Sequence, residues 1–307
     1  MDIESKIPSI NKHLKDDFNY FEPNELSKKG LCVPQIMFDY GKIQNKIKSI
    51  PRIGKYMAGS IKQLNKSYNS LYNQPKNPST VISDKDLKAL NEYCKTLDIL
   101  DIGFSKVDPS YIFSNKKILY ENAIVFSMAM KKEIIKTAPS KACEKEIMKT
   151  YYKLNVAVNK IKEFLNEKGY RAQAGPALGG EVNYPLLAQA ANMGVIGKHG
   201  LLITPSYGPS IRLAAVYTDI ENLPTPEINK HLWVNDYCEN CNRCVRKCPA
   251  NAIFKETLIL SDGVKKHIDY KKCAVPFTSQ YGCTVCVKEC SFFINPYDKI
   301  KKSFLKY

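Results

Sequence analysis

An α+β architecture is what this sequence predicts: a mixed α/β domain followed by a small cysteine-rich one. Three observations lead there. Strand and helix signals alternate across residues 81–230, eight of the eleven cysteines crowd into two groups after Trp233, and a basic stretch precedes both. At 307 residues the chain is long enough for about two domains. No apolar run reaches the ~18–20 residues that span a bilayer. The opening "MDIESKIPSINKHLKDDFNY" is polar, with no apolar signal core and no twin-arginine pair. The expectation is a cytoplasmic protein whose thiols stay reduced. A net charge of +16 favours anionic partners such as nucleic acid, acidic lipid or an acidic electron donor, although lysine is scattered along the whole chain.

Residues 1–80 read as a basic N-terminal extension. No acidic residue falls between Tyr40 and Ser83, while basic residues recur from Lys42 to Lys76. Ile43, Ile47, Ile50, Ile53, Met57, Ile61 and Leu64 recur at near-helical spacing, interrupted by Pro51 and Gly54. That pattern predicts one or two amphipathic helices, which can lie on a membrane surface, contact RNA or pack on the body of the protein. Packing is favoured, and "NQPKNPST" (73–80) reads as a linker.

Residues 81–230 form the α/β domain. Ser83 caps a helix with Leu87, Leu90, Cys94 and Leu97 on its apolar face. "ILDIGF" (99–104) and "AIVFSMA" (123–129) read as buried strands. A long helix follows Ser140, striped by Cys143, Ile147, Tyr151, Leu154, Val158, Ile161 and Leu165. "YRAQA" (170–174) is a strand, "PLLAQAANMG" (185–194) a short helix and "IRLAAVYT" (211–218) a further strand. Cys94 and Cys143 fall on core faces and read as inert packing residues. "GPALGG" (175–180) lacks the spacing of a dinucleotide fingerprint.

Residues 231–307 carry the chemistry. Cys238, Cys241, Cys244 and Cys248 form C-x2-C-x2-C-x3-C and are followed by Pro249; Cys273, Cys283, Cys286 and Cys290 form a second group. Structural zinc takes two separated pairs of ligands. An odd cysteine count in a reducing compartment argues against disulfides. Three thiols at spacing three and one at spacing four make the bacterial ferredoxin run, in which the fourth cysteine serves the other cluster. The expectation is a ferredoxin-like domain with two 4Fe–4S clusters. Crossing over assigns Cys238, Cys241, Cys244 and Cys290 to cluster one, and Cys248, Cys273, Cys283 and Cys286 to cluster two. The uneven second group, with Ser291 rather than proline after Cys290, points away from a plain ferredoxin.

The stretch "PLLAQAANMGVIGKHGLLITPSYGPSIRLAAVYTDIENLP" (185–224), followed by this cysteine pattern, resembles the epoxyqueuosine reductases and the related reductive dehalogenases. "GxxGKH" (Gly194, Gly197, Lys198, His199) has the epoxyqueuosine reductase form, and "LLITPSYGPSIRLAAVYTD" has more of the dehalogenase form. The resemblance covers roughly residues 81–295, and it implies a nitroreductase-like α/β domain. It implies a cobalamin held between that domain and the clusters, facing Gly194, Gly197, Lys198, His199, Ser206, Tyr207 and Gly208. It further implies electrons supplied by reduced ferredoxin or flavodoxin and a reductive reaction on a small organic substrate. Those reductases carry an aspartate proton donor where this chain has Leu178, so Glu181 or Tyr184 becomes the candidate acid. The chain ends seventeen residues after Cys290, without the C-terminal repeats of many epoxyqueuosine reductases, so a tRNA substrate is not expected. The rival reading is a non-catalytic electron-transfer protein on the same scaffold, reducing a corrinoid or flavin on a partner. A nucleic-acid binder with structural clusters has only the basic extension behind it.

Overall fold

Burial alternates along the second strand of the sheet. Ala123 and Val125 face one hydrophobic cluster, while Ile124, Phe126 and Met128 face another, so the sheet is covered on both sides. The computed structural model describes every residue except 1–3, 42, 262, 264 and 307, and the side chains of 5 and 43–48 are outside the description. The strands are β1 (Asp101–Lys106), β2 (Asn122–Ala129), β3 (Ala172–Gly175), β4 (Val195–Ile196), β5 (Leu202–Ile203), β6 (Ile211–Thr218), β7 (Ile253–Ile259) and β8 (Lys265–Ile268). An antiparallel four-stranded sheet has the order β1-β2-β6-β3, and β4-β5 and β7-β8 are separate two-stranded hairpins.

The helices of the first part are α1 (Val33–Tyr40), α2 (Ile43–Asn69), α3 (Asp84–Thr96), α4 (Lys132–Ile135), α5 (Lys141–Glu167) and α6 (Tyr184–Ala190). Those of the cysteine-rich part are α7 (Trp233–Cys241), α8 (Arg243–Lys247), α9 (Tyr270–Ser279), α10 (Val285–Lys288), α11 (Ser291–Ile294) and α12 (Tyr297–Phe304). Ser83 and Ser140 do cap their helices, accepting from the amides of Asp86 and Cys143. On one side of the sheet Leu90 and Cys94 of α3 pack with Leu154, Val158, Ile161 and Leu165 of α5. On the other, Leu187 and Ala188 of α6 pack with Leu64, Tyr68 and Leu71. The first strand starts two residues later than its apolar run, because Asp98 turns with a φ of 61° and leaves Leu100 exposed.

Of the one or two helices expected in the N-terminal segment, the structure forms one, α2, which runs through Pro51 and Gly54. Pro51 lies exposed, while α2 packs on α5, and packing overrides the local break. The expected apolar stripe is buried only in part. Ile53 and Leu64 are buried together with Ser60, Ser67 and Tyr68, whereas Ile50 and Ile61 are exposed. Small residues let the two long helices approach: a Cβ on Gly59 would come within 2.6 Å of the Tyr152 ring. Ser67 bonds Asn159, and Glu144 takes hydrogen bonds from Ser49 at 2.9 Å and Arg52 at 2.7 Å. Lys42 and the side chains of Ile43 and Ile47 lie outside the described residues.

Candidate iron–sulfur site

The cysteine-rich part packs on the N-terminal end of α5 and on the β4-β5 hairpin. Met130, Cys143, Ile147, Val195 and Ile203 share one apolar cluster with Val234, Val287, Phe292, Phe293, Tyr297 and Ile300. Trp233, Tyr237, Phe292, Tyr297 and Phe304 pack edge-to-face or tilted around its outer side.

Left-handed backbone places the thiols. Asn242, at φ 48°, breaks α7 from α8 between Cys241 and Cys244. Tyr281, Gly282, Cys283 and Thr284 all have positive φ, between 49° and 76°. Such turns point successive amides inward and make concavities that hold anionic groups, iron–sulfur clusters among them. The amide of Ala252 donates to Cys248 Sγ at 3.3 Å, and Ser291 Oγ lies 3.1 Å from Cys241 Sγ.

Four thiols from two separate stretches of the sequence meet at one place. Cys238, Cys241, Cys244 and Cys290 line one cavity, together with Lys198, His199, Tyr237 and Phe292. Burial, then the neighbouring Cys244 and Cys241 thiols, push Cys238 up to about 12, and Cys290 is pushed up by burial and by Cys238 and Cys244. Cys273 is raised to about 11 by burial, then by Cys283 and Cys248. Cys286 is raised by burial and by Cys283, Cys273, Cys244 and Cys248. The thiols that raise Cys238, Cys290 and Cys273 belong to the set expected for each, while Cys286 is raised by Cys244 as well as by Cys283, Cys273 and Cys248. Among the described residues no three donors converge on a point where one ion could bind them all. Around a single tetrahedral zinc, thiolates stand only about 3.8 Å apart, given Zn–S bonds near 2.3 Å. Thiols arrayed around a cavity fit a polynuclear group, and such a group would deprotonate them on binding.

The residues expected to face a corrinoid divide between two environments. Lys198 is buried, and its Nζ donates to Asn242 Oδ1 at 2.9 Å and the Lys255 carbonyl at 2.5 Å and pairs with Glu239 at 2.7 Å. It ties the β4-β5 hairpin to α7 and β7. His199 is buried in the wall of the four-cysteine cavity, and burial, then His267, pull its imidazole down to about 4. Gly194 and Gly197 lie against Ile203 across the hairpin. Gly208 has a φ of 57°, and a Cβ there would lie 2.5 Å from the Phe292 carbonyl oxygen. Ser206 and Tyr207 stay on the outside, where Ser206 donates to Asp101 at 2.7 Å. Five of these residues therefore serve the hairpin and its junction with the cysteine cavity. They define no cradle for a corrin ring by themselves.

Glu181 and Tyr184 come together in a closed polar pocket of the sheet domain, with Tyr68 and Tyr217 beside them. Glu181 is fully buried, and neither of its carboxyl oxygens has a hydrogen-bond partner. Burial raises it to about 7, with Lys116 and Tyr68 pulling the other way. Tyr184 and Tyr217 are pushed up by burial and by Glu181. Tyr68 donates to the Gly179 carbonyl and Tyr184 to the Pro176 carbonyl, each at 3.1 Å. A carboxyl group in this setting keeps its proton near neutral pH. Gly180 belongs to the glycine-rich stretch and lies directly against the Tyr184 hydroxyl, so this glycine admits a tyrosine rather than a phosphate. Nothing in the sequence pattern singles out Tyr68, which arrives from the N-terminal segment. Tyr217 was visible only as a core-facing strand position.

The cysteine-rich part is an iron–sulfur module: residues 231–254 match the 4Fe-4S binding domain family. Beyond that module, the tetrachloroethene reductive dehalogenase of Desulfitobacterium hafniense is 33% identical over 187 residues, covering 56% of this chain and 33% of the relative. The epoxyqueuosine reductase of Listeria monocytogenes serovar 1/2a is 32% identical over 121 residues, covering 37% of this chain and 30% of the relative. A solved reductive dehalogenase, for which a mechanism of B12-dependent dehalogenation is suggested, shares the fold. Its TM-score is 0.73 at 16% identity, over 98% of this chain and 46% of that one. The likeness to the reductive dehalogenase and epoxyqueuosine reductase superfamily thus holds in both sequence and fold. This chain spans about a third of the length of these curated relatives. No helix among the described residues is long and apolar enough to cross a membrane.

Proposed function

We propose that this chain is an iron–sulfur oxidoreductase that passes electrons one at a time through two 4Fe–4S clusters toward a reductive reaction on a small organic substrate. The observation that carries this reading is the one cavity that Cys238, Cys241, Cys244 and Cys290 line together, although Cys290 lies far from the other three in sequence. Cys238, Cys241, Cys244 and Cys290 would hold cluster one, and Cys248, Cys273, Cys283 and Cys286 cluster two. The division at residues 80 and 230 serves as the functional organisation, with a nitroreductase-like sheet domain between a packed N-terminal segment and the clusters. The cytoplasm is the compartment this chemistry suits, with a reduced ferredoxin or flavodoxin as donor.

A corrinoid is the acceptor favoured by the B12-dependent relative. The chain's own part is to order the clusters, keep water from them behind the Trp233–Phe292 aromatic layer, and hold a proton at Glu181 beside Tyr184. A second reading, electron transfer without catalysis, is favoured by the commitment of Lys198, His199 and Gly208 to the cluster cavity and its junction.

Anaerobic reconstitution should yield about eight iron and eight sulfide per chain. Cys290→Ser should remove the electron paramagnetic resonance signal of the cluster built on residues 238–244 and spare the cluster that its neighbour Cys286 helps to hold. Loss of the other cluster instead would overturn the crossed assignment, and two zinc ions without acid-labile sulfide would overturn the reading as a whole.

A further inference from the structure

One ring nitrogen of the buried His199 is left without a partner in the fold. Its ring is 4% exposed, it comes from the turn between β4 and β5, and it stands in the wall of the cavity lined by Cys238, Cys241, Cys244 and Cys290. The amide of Leu201 donates to its Nδ1 at 3.2 Å. A neutral imidazole that accepts at Nδ1 carries its proton on Nε2. Nε2 is buried and has no hydrogen-bond partner in the protein. An N–H donor left without an acceptor in the interior is costly, so its partner is to be sought in what fills the cavity. Lys198, one residue earlier, spends its ammonium on Asn242, Lys255 and Glu239 and leaves this role to the imidazole.

We propose that His199 donates its Nε2–H to a sulfur of cluster one and raises the reduction potential of that cluster. A hydrogen bond to cluster or thiolate sulfur stabilises the reduced, more negative state, and such bonds are among the determinants of cluster potential. The hairpin turn of the sheet domain thereby sets how readily the neighbouring cluster accepts an electron. This inference rests on the ligand set proposed above for cluster one.

The test is a redox titration followed by electron paramagnetic resonance on the anaerobically reconstituted full chain. Three proteins are compared: wild type, His199→Phe, which keeps a ring without the donor, and His199→Gln, which restores an amide donor. The expected result is a shift of cluster one to lower potential in His199→Phe, partial recovery in His199→Gln, and cluster two unmoved in both. Wild type grown with 15N-histidine should also show a nitrogen coupling to cluster one in pulsed spectra, and that readout holds even if His199→Phe assembles poorly. Full iron content with an unmoved potential in His199→Phe would overturn the role of His199 alone, as would the absence of a histidine coupling. Absence of any 4Fe–4S signal from wild type would overturn the ligand assignment beneath it.

Discussion

Replacing Glu181 by glutamine should change how stability depends on pH, in a direction that is fixed by its burial. The carboxyl is fully enclosed and titrates near 7 in the folded chain, against an ordinary value of 4.5. Because the folded value is raised, the unfolded chain gives up this proton first as pH rises. Folding therefore loses stability progressively from pH 4.5 upward, and the loss levels off above pH 7. Each unit of separation is worth about 1.36 kcal/mol, so the loss is about 1.4 kcal/mol at pH 5.5 and about 3.4 kcal/mol at pH 8.5. Glutamine has nearly the same shape and cannot ionise. The stability difference between Glu181→Gln and wild type should thus move by about 2 kcal/mol in favour of the variant between these two pH values. Urea denaturation followed by far-ultraviolet circular dichroism, on anaerobic cluster-loaded protein, reads it directly. All other titrating groups are common to the two proteins and cancel. Stability curves that run parallel across the range would show that Glu181 is not held protonated by its surroundings, and the proton-holding role would fall with it.

Two further substitutions test the packing that carries the clusters. Arg52→Ala leaves the nearly buried Glu144 carboxylate without its guanidinium, and should cost about 2–3 kcal/mol once the partial exposure of Arg52 is discounted. Adding Glu144→Ala should recover part of that loss in a thermal melt, and a double variant no more stable than the single one would refute the ion pair as the cause. Gly208→Ala puts a Cβ against the Phe292 carbonyl at a φ of 57°, where neither backbone can yield cheaply. It should lower retained iron while leaving the sheet's far-ultraviolet spectrum intact, and unchanged iron retention would show that this turn does not secure the cluster module.

The sequence by itself determined the elements whose physics is local. The strand runs at 123–129 and 211–218, the serine caps at 83 and 140 and the ferredoxin spacing all follow from periodicity, side-chain-to-backbone bonds or ligand distance along one loop. Apolar periodicity was right for Ile53 and Leu64 but wrong for Ile50 and Ile61, because close contact with α5 at Gly59 and Ser67 depends on small size rather than on apolarity. Only tertiary structure joined Tyr68 to Glu181, Tyr184 and Tyr217, because about 110 residues of chain separate Tyr68 from Glu181 and no spacing rule reaches that far. Only tertiary structure turned Lys198 and His199 toward the cysteines. Their place depends on how the β4-β5 hairpin docks against α7 and β7, a packing decision made between elements rather than within one.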